Sequence, residues 1–305
     1  MSALVSVIIP NYNCAAFLPA ALKSVFEQDL QAVDIIIIDD GSTDGSLTYL
    51  ETLAAEHANV RLVRQGNQGV VAARNKAIQI AHSDLIAFLD ADDIWQKHKL
   101  VEQIGYMYSN PNVVMTFTNY QHVTECGKHI IDCFSYWDEF NPVENHDEYQ
   151  LLSNPLNAIL ATNVVGTSTV VARKHALLDA GLFNPELKSA SDWDMWLKLA
   201  SLGDVAFSNS CATHYLMRSN SITSNRLNRL TAMQNIVSLY RNNPNLSKKA
   251  LAHAYAHIQE GYAEYYRELG NKFSPIWHDL IAIYNNPLIR NLKHLCHDLK
   301  RAVCF

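Results

Sequence analysis

Over the first 118 residues, short and almost purely apolar runs alternate with longer stretches in which apolar positions recur every three or four residues. The runs at 5–10, 34–38, 60–63, 85–89 and 113–117 predict strands, because apolar segments of this length between turn residues suit strands buried on both faces. The stretches between them predict amphipathic helices. Their apolar faces are Phe17, Ala21, Val25 and Phe26, then Leu47, Leu50 and Leu53, then Val71, Ala77, Ile78 and Ala81. Strict alternation of strand and helix means βαβ units, hence an α/β fold with a doubly wound parallel sheet covered on both faces. Ligands of such sheets bind beyond the carboxyl ends of the strands.

The pattern then changes. Residues 119–154 read as irregular, with a hairpin around Glu125-Cys126-Gly127-Lys128, and 167–172 reads as a further strand. Asp192 opens a helix with Trp193, Trp196, Leu197 and Ala200 on one face, and 205–207 and 212–217 read as short strands. From about Asn225 the chain reads as helices broken near Asn242-Asn243-Pro244, Gly270 and Asn286-Pro287. We therefore expect a catalytic-type α/β domain over 1–224 and a helical C-terminal region over 225–305. In 287–305 an apolar stripe (Leu288, Leu292, Leu295, Leu299, Ala302) runs beside Arg290, Lys293, Lys300 and Arg301, which outweigh Asp298. Such a helix either docks on its own domain or on a twin subunit, giving a homodimer, or lies as a peripheral element on an anionic membrane surface.

Composition narrows the class only a little. At 305 residues, 49% hydrophobic and 18% charged, the chain is an ordinary globular one, and its formal charge of −6 argues against nucleic acid as a partner. No apolar run approaches the roughly 20 residues that span a bilayer. The N-terminus lacks a basic region ahead of its first strand, and the six cysteines are scattered without a C-x-x-C pair. Both features fit a cytoplasmic protein with reduced thiols.

The candidate chemistry sits at the predicted strand ends. Asp90-Ala91-Asp92 follows the run 85–89, and two like charges so close together usually find relief in a bound cation. Hard ions such as Mg²⁺ or Mn²⁺ take one or two carboxylates plus substrate phosphates, whereas Asp93 reads as a cap for a helix starting near Ile94. Asp39-Asp40 ends the run 34–38. Turn chemistry accounts for Gly41 to Asp44 but leaves Asp40 free to accept hydrogen bonds from a ligand such as a nucleobase imide. Arg74, in an otherwise small-residue helix, either snorkels to solvent or aims at an anion. Asp192 reads on its own as a helix N-cap or as a catalytic carboxylate.

Together these segments carry a resemblance. Val5-Ser6-Val7-Ile8-Ile9-Pro10-Asn11-Tyr12-Asn13, Ile38-Asp39-Asp40-Gly41-Ser42-Thr43-Asp44, Ala73-Arg74-Asn75 and Phe88-Leu89-Asp90-Ala91-Asp92-Asp93 resemble, in order, the signature set of family 2 glycosyltransferases. The resemblance implies an inverting enzyme of GT-A fold, a doubly wound mixed, mostly parallel sheet, acting on a nucleotide-sugar donor. By it, Asp92 and Asp90 match the metal-binding D-x-D motif, with Asp90 also toward the ribose. Asp40 matches the aspartate that reads the base, Pro10 and Tyr12 line the base pocket, and Arg74 lies near base and phosphate. Ser191-Asp192-Trp193-Asp194-Met195-Trp196 resembles the family's acidic helix head, which makes Asp192 the catalytic base, although Ser191 stands where the family often has Glu. In Tyr215-Leu216-Met217-Arg218-Ser219-Asn220-Ser221-Ile222-Thr223, Arg218 stands at a histidine position. It cannot ligate a metal but can neutralise a phosphate, so it is a candidate donor contact.

The implied reaction is transfer of a sugar from a UDP-linked donor to a hydroxyl of a glycan or lipid-linked glycan in cell-surface polysaccharide synthesis, with Mn²⁺ or Mg²⁺. The rival is a glycosyltransferase-like scaffold that binds without turnover. Other enzyme classes lack their marks: no G-x-G-x-x-G follows the first strand, and neither a G-x-x-x-x-G-K-[ST] nor a G-x-S-x-G sequence occurs. His253 and His257 share a helix face, but no Glu follows His253, and they read as packing.

Overall fold

A computed structural model describes residues 3–30, 32–137, 140, 148–218 and 225–303. The boundary expected near Ser224, residues 219–223 and Phe305 lie outside the described residues. In chain order the elements begin β1 Val5–Asn11, α1 Leu18–Phe26, β2 Val33–Asp39, α2 Ser46–Glu56, β3 Val60–Arg64, α3 Val70–Ile80 and β4 Leu85–Phe88. They continue through β5 Ile94–Trp95, α4 Lys99–Ser109, β6 Val113–Val123, β7 His129–Asp132, β8 Gln150–Leu151, α5 Pro155–Thr162, β9 Val171–Arg173 and α6 Lys174–Asp179. Then come α7 Ser191–Ala200, β10 Asp204–Leu216, α8 Arg226–Tyr240, α9 Lys248–Glu268, α10 Ser274–Asn285 and α11 Ile289–Val303.

The first compact unit comprises Met1–Ser153, Val164–Glu186 and Ser191–Arg218. Its sheet runs β3-β2-β1-β4-β9-β6-β10-β5, with β7 on β6 and β8 on β10. Strands β3, β2, β1 and β4 are mutually parallel, as are β6 and β10, and β9 is inserted antiparallel between the two groups. The fold is therefore α/β with a mixed, mostly parallel sheet flanked by helices. Val7, Ile9, Ile35, Ile37 and Ala87 face Leu18, Leu22, Leu50 and Ile104 in a buried core, which is why these strands read as unbroken apolar runs.

Several local expectations are corrected. Phe17 and Phe26 lie off the core face: α1 starts one residue after Phe17, and Phe26 is partly exposed and stacks on His57. Two short strands expected after Gly203 are one bulged strand, β10, whose register against β6 shifts near Ser208 and Cys211. The segment expected as a strand from 167 starts instead as a tight 3-10 turn, Thr167–Thr169, before β9. Residues 124–128 form the expected hairpin turn between β6 and β7.

The second unit comprises Asn154–Asn163, Leu187–Ala190 and Ser219–Phe305, so α5 packs with the late helices, chiefly against α9. Within it, α11 packs against α10 and is tied to α9 by polar groups, while Leu292 and Leu299 of its leucine stripe stay exposed. Asn291 and Asp298 are buried, Asp298 accepts from Arg267 Nε at 2.7 Å, and Arg290 and Asn291 donate to Glu260 at 3.0 and 2.6 Å. His257 bonds the same Glu260, consistent with a packing role.

Candidate active site

Parallel strands leave their carboxyl ends to feed loops, and β1, β2 and β4 do so side by side. At the last position of β1, Asn11 is buried and its amide donates to Asp39 Oδ1 at 2.8 Å and to the hydroxyls of Ser42 and Ser46 at 3.0 and 3.1 Å. Asn13, Ser42, Thr43, Asp44 and the Ala15 amide extend the lattice, tying the two loops together. Pro10 lies opposite Ile38, one residue before the end of β1, and Tyr12 stands exposed at the rim. Gly41 has φ +80°, and a Cβ there would lie 3.0 Å from the Asn67 amide, so this close crossing of two loops requires glycine.

Asp40 is not the unengaged acceptor that its sequence context suggested. It is buried, and its carboxylate accepts from Gln65 Nε2, from the Gln68 amide and from the Gly69 amide, each at 2.8 Å. Amides at a helix start attract a carboxylate, so Asp40 fastens the loop that leads into α3. Two oxygens offer about four acceptor positions, which leaves Oδ2 with capacity beyond Gly69.

Arg74 does not snorkel. It is buried on α3, donates to Asp90 Oδ1 at 2.6 Å, and its guanidinium lies 5.6 Å from the Phe183 ring centre. Burial opposes its charge, but Asp90, Asp192 and Tyr215 more than offset this and hold its pKa above the ordinary value. Asp90 and Asp192 come from chain segments about a hundred residues apart, and both act on this one guanidinium. Neighbouring Asn75 clamps the backbone of Phe183 with two hydrogen bonds, fixing the ring against Arg74.

Asp92 pairs with Arg218, whose guanidinium sits 4.8 Å from the Phe17 ring centre and beside the Cys14 thiol. Burial first, then Asp90, push the Asp92 pKa up, and Arg218 pulls it back down. Both arginines also keep a buried Nε–H with no acceptor among the described residues. Those leftover donors suit an oxygen-rich anion. The donor set of Asp90 and Asp92 fits a hard divalent ion: two carboxylates in three residues, Asp90 with Oδ2 free of hydrogen bonds among the described residues, and remaining positions for substrate oxygens. No third His, Cys, Asp or Glu joins them among the described residues.

Asp93 caps no helix, because β5 follows it and α4 begins only at Lys99. It is buried, accepting from Ser168 Oγ at 2.5 Å and from the Leu216 amide at 3.0 Å. Ser168 Oγ in turn accepts from the Asp90 amide, and Thr167 donates to Asp192 Oδ2 at 3.1 Å. The 3-10 turn is thus the hub that joins the Asp90–Asp93 loop, the head of α7 and the end of β10. Sequence reasoning missed Thr167, Ser168, Phe17 and Cys14. The only signal was Gly166-Thr167-Ser168-Thr169, too polar to open a buried strand.

The structure therefore gathers Arg74, Asp90 and Asp192 in one electrostatic cluster and joins Asp92, Arg218 and Asp90 in another sharing Asp90. Pro10, Tyr12 and Asp40 stand on the adjoining strand ends. Comparisons with known proteins bear on the family and the fold. The chain is 30% identical over 225 residues to the putative teichuronic acid biosynthesis glycosyltransferase TuaG of Bacillus subtilis, spanning 73% of this chain and 82% of that one. It is 28% identical to WfgD of Escherichia coli, a UDP-Glc:alpha-D-GlcNAc-diphosphoundecaprenol beta-1,3-glucosyltransferase, over 79% of this chain and 88% of that one. Three uncharacterised glycosyltransferases of Rickettsia species are matched over only 38, 31 and 34% of their own lengths. The fold matches TarS of S. aureus in complex with UDP-GlcNAc, with TM-score 0.66 at 18% identity, over 99% of this chain and 90% of that one. The model of glycosyl transferase family 2 matches residues 6–160, the stretch that holds both acidic strand ends and Arg74, and the chain belongs to that family.

Proposed function

We propose that this protein is an inverting, metal-dependent hexosyltransferase that moves a sugar from a nucleotide-sugar, UDP-linked as in the donor named for WfgD, to a hydroxyl of a glycan or lipid-linked glycan in cell-surface polysaccharide synthesis. The observation that carries the reading is Arg74, on which Asp90 from the D-x-D loop and Asp192 from the acidic helix head converge. In this reading Asp92 and Asp90 hold Mn²⁺ or Mg²⁺, which when bound would stabilise negative charge on the departing diphosphate. Arg74 and Arg218 offer their unpaired Nε–H groups to the same diphosphate. Pro10, Tyr12 and Asp40 line the base side, where Oδ2 of Asp40 has acceptor capacity left. Asp192 takes the proton from the acceptor hydroxyl, and Thr167 orients its carboxylate. Binding both substrates together supplies the entropic advantage.

The test is a panel of nucleotide-sugars with Mn²⁺ or Mg²⁺, scored for nucleotide release and for thermal stabilisation. Asp192→Asn should lower transfer by about 10²- to 10⁴-fold while leaving nucleotide-induced stabilisation intact. Transfer retained in that variant would remove Asp192 as the base. Stabilisation without release across the panel and a range of glycan acceptors would favour a non-catalytic binding protein.

A further inference from the structure

Among the described residues no helix is long and apolar enough to cross a membrane, yet α10 presents a face of a different kind. Phe273, at its N-cap, Trp277, Leu280 and Tyr284 fall within about 60° of one another at about 100° per residue. They are 70, 65, 48 and 89% exposed. Four large side chains left in water on one helix face amount to several hundred Å² of apolar surface, roughly the size at which such patches signal a binding surface. The helix α11, packed against α10, leaves a second stripe outward, Leu292, Cys296 and Leu299, flanked by exposed Lys293 and Lys300.

Charge decides the occupant. From Leu269 to the last residue the only acids are Asp279 and Asp298, and both are buried on Arg267 of α9. The outward charge of α10 and α11 is therefore entirely basic, on a chain whose formal charge is −6. A second copy would set Lys293, Lys300 and Arg301 against their own kind. An anionic bilayer surface complements both features: lysines and arginines meet the headgroups, and Trp and Tyr rings settle at the interface with Phe and Leu below them. We propose that the exposed faces of α10 and α11 form a docking surface for anionic lipid. None of its residues belongs to the transfer site, so failure here leaves the transferase reading untouched.

The experiment is sedimentation of the full chain with vesicles of equal parts phosphatidylglycerol and phosphatidylcholine, against vesicles of phosphatidylcholine alone. The protein should sediment with the anionic vesicles and not with the neutral ones. It should be released in about 1 M salt, where the Debye length is about 3 Å. Lys293→Glu/Lys300→Glu and Trp277→Ser/Tyr284→Ser should each weaken binding at least tenfold with unchanged circular dichroism, since every altered side chain is exposed. Brominated lipid should quench tryptophan fluorescence, and Trp277→Phe should remove most of the quenching, because Trp95, Trp193 and Trp196 are buried and the fifth tryptophan, Trp137, is half-buried and belongs to the first unit. No sedimentation with anionic vesicles, equal binding by the Trp277/Tyr284 variant, or a dimer dissolved by the same substitutions would each overturn the proposal.

Discussion

Arg218 pairs with the carboxylate that the proposed cation would need, and Asp92 with the guanidinium proposed for the phosphate. Each holds the other because burial makes an unpaired charge costly here, and Phe17 walls off one side of the guanidinium. Histidine at this position would not carry a permanent charge. Arg218→His should therefore tighten Mn²⁺ binding in the absence of nucleotide by about tenfold, the equivalent of about 1.4 kcal/mol, read as free ion by electron paramagnetic resonance. An unchanged affinity would mean that Arg218 does not compete for Asp92. A second residue-scale test concerns Gly41. A side chain there meets both a left-handed backbone and the Asn67 amide at 3.0 Å, so Gly41→Ala should cost about 1–3 kcal/mol, measured by urea unfolding.

At the scale of elements, Arg267 of α9 is the fastener of the C-terminal helices. Its Nη2 donates to both oxygens of Asp279 at 2.8 and 2.7 Å, and its Nε donates to Asp298. Arg267→Met strands two buried carboxylates and should cost about 3–5 kcal/mol near neutral pH. The deficit should shrink as pH falls. Burial, the larger influence, already raises the Asp279 pKa, and Arg267 partly restrains it. Without Arg267 the group rises further, so its cost is greatest when it is ionised and fades toward about pH 4, where the unfolded chain protonates too. Urea melts at several pH values read this directly. The elements that fixed the sheet were legible, since strands buried on both faces leave unbroken runs such as Ile35 to Ile38. The candidate site was legible at its strand ends, where two carboxylates stand one residue apart, although their pairing with Arg74 and Arg218 was not. It was not legible where a hydroxyl does the positioning: Ser168 and Thr167 act through hydrogen bonds to segments about 75 and 25 residues away, which no local pattern records. Nor could the pattern show that α11 docks by Asn291 and Asp298. A helix with leucines on one side looks as though it should bury them all, yet Leu292 and Leu299 stay exposed while Asn291 and Asp298 are buried on their α9 partners.

At the scale of the first unit, the sheet brings four carboxylates, Asp90, Asp92, Asp93 and Asp192, to one edge with two guanidiniums, Arg74 and Arg218. The edge is held against its own repulsion: burial first, then Asp92 and Asp90, drive the Asp93 pKa well above the usual carboxylate range. A ligand that adds only negative charge must therefore work against this field, and one that brings a cation with it relieves the field. That ordering gives a prediction for the whole molecule. UDP with EDTA should raise the melting temperature little, Mn²⁺ alone modestly, and the two together by more than the sum of their separate shifts. At ligand about 100-fold above its dissociation constant the gain is about 2.7 kcal/mol, or roughly 5 °C for a chain of this size. Differential scanning fluorimetry across the four conditions checks it. If UDP in EDTA gives the full shift, the arginines alone hold the diphosphate, and Arg218 is then a substitute for the cation rather than its competitor.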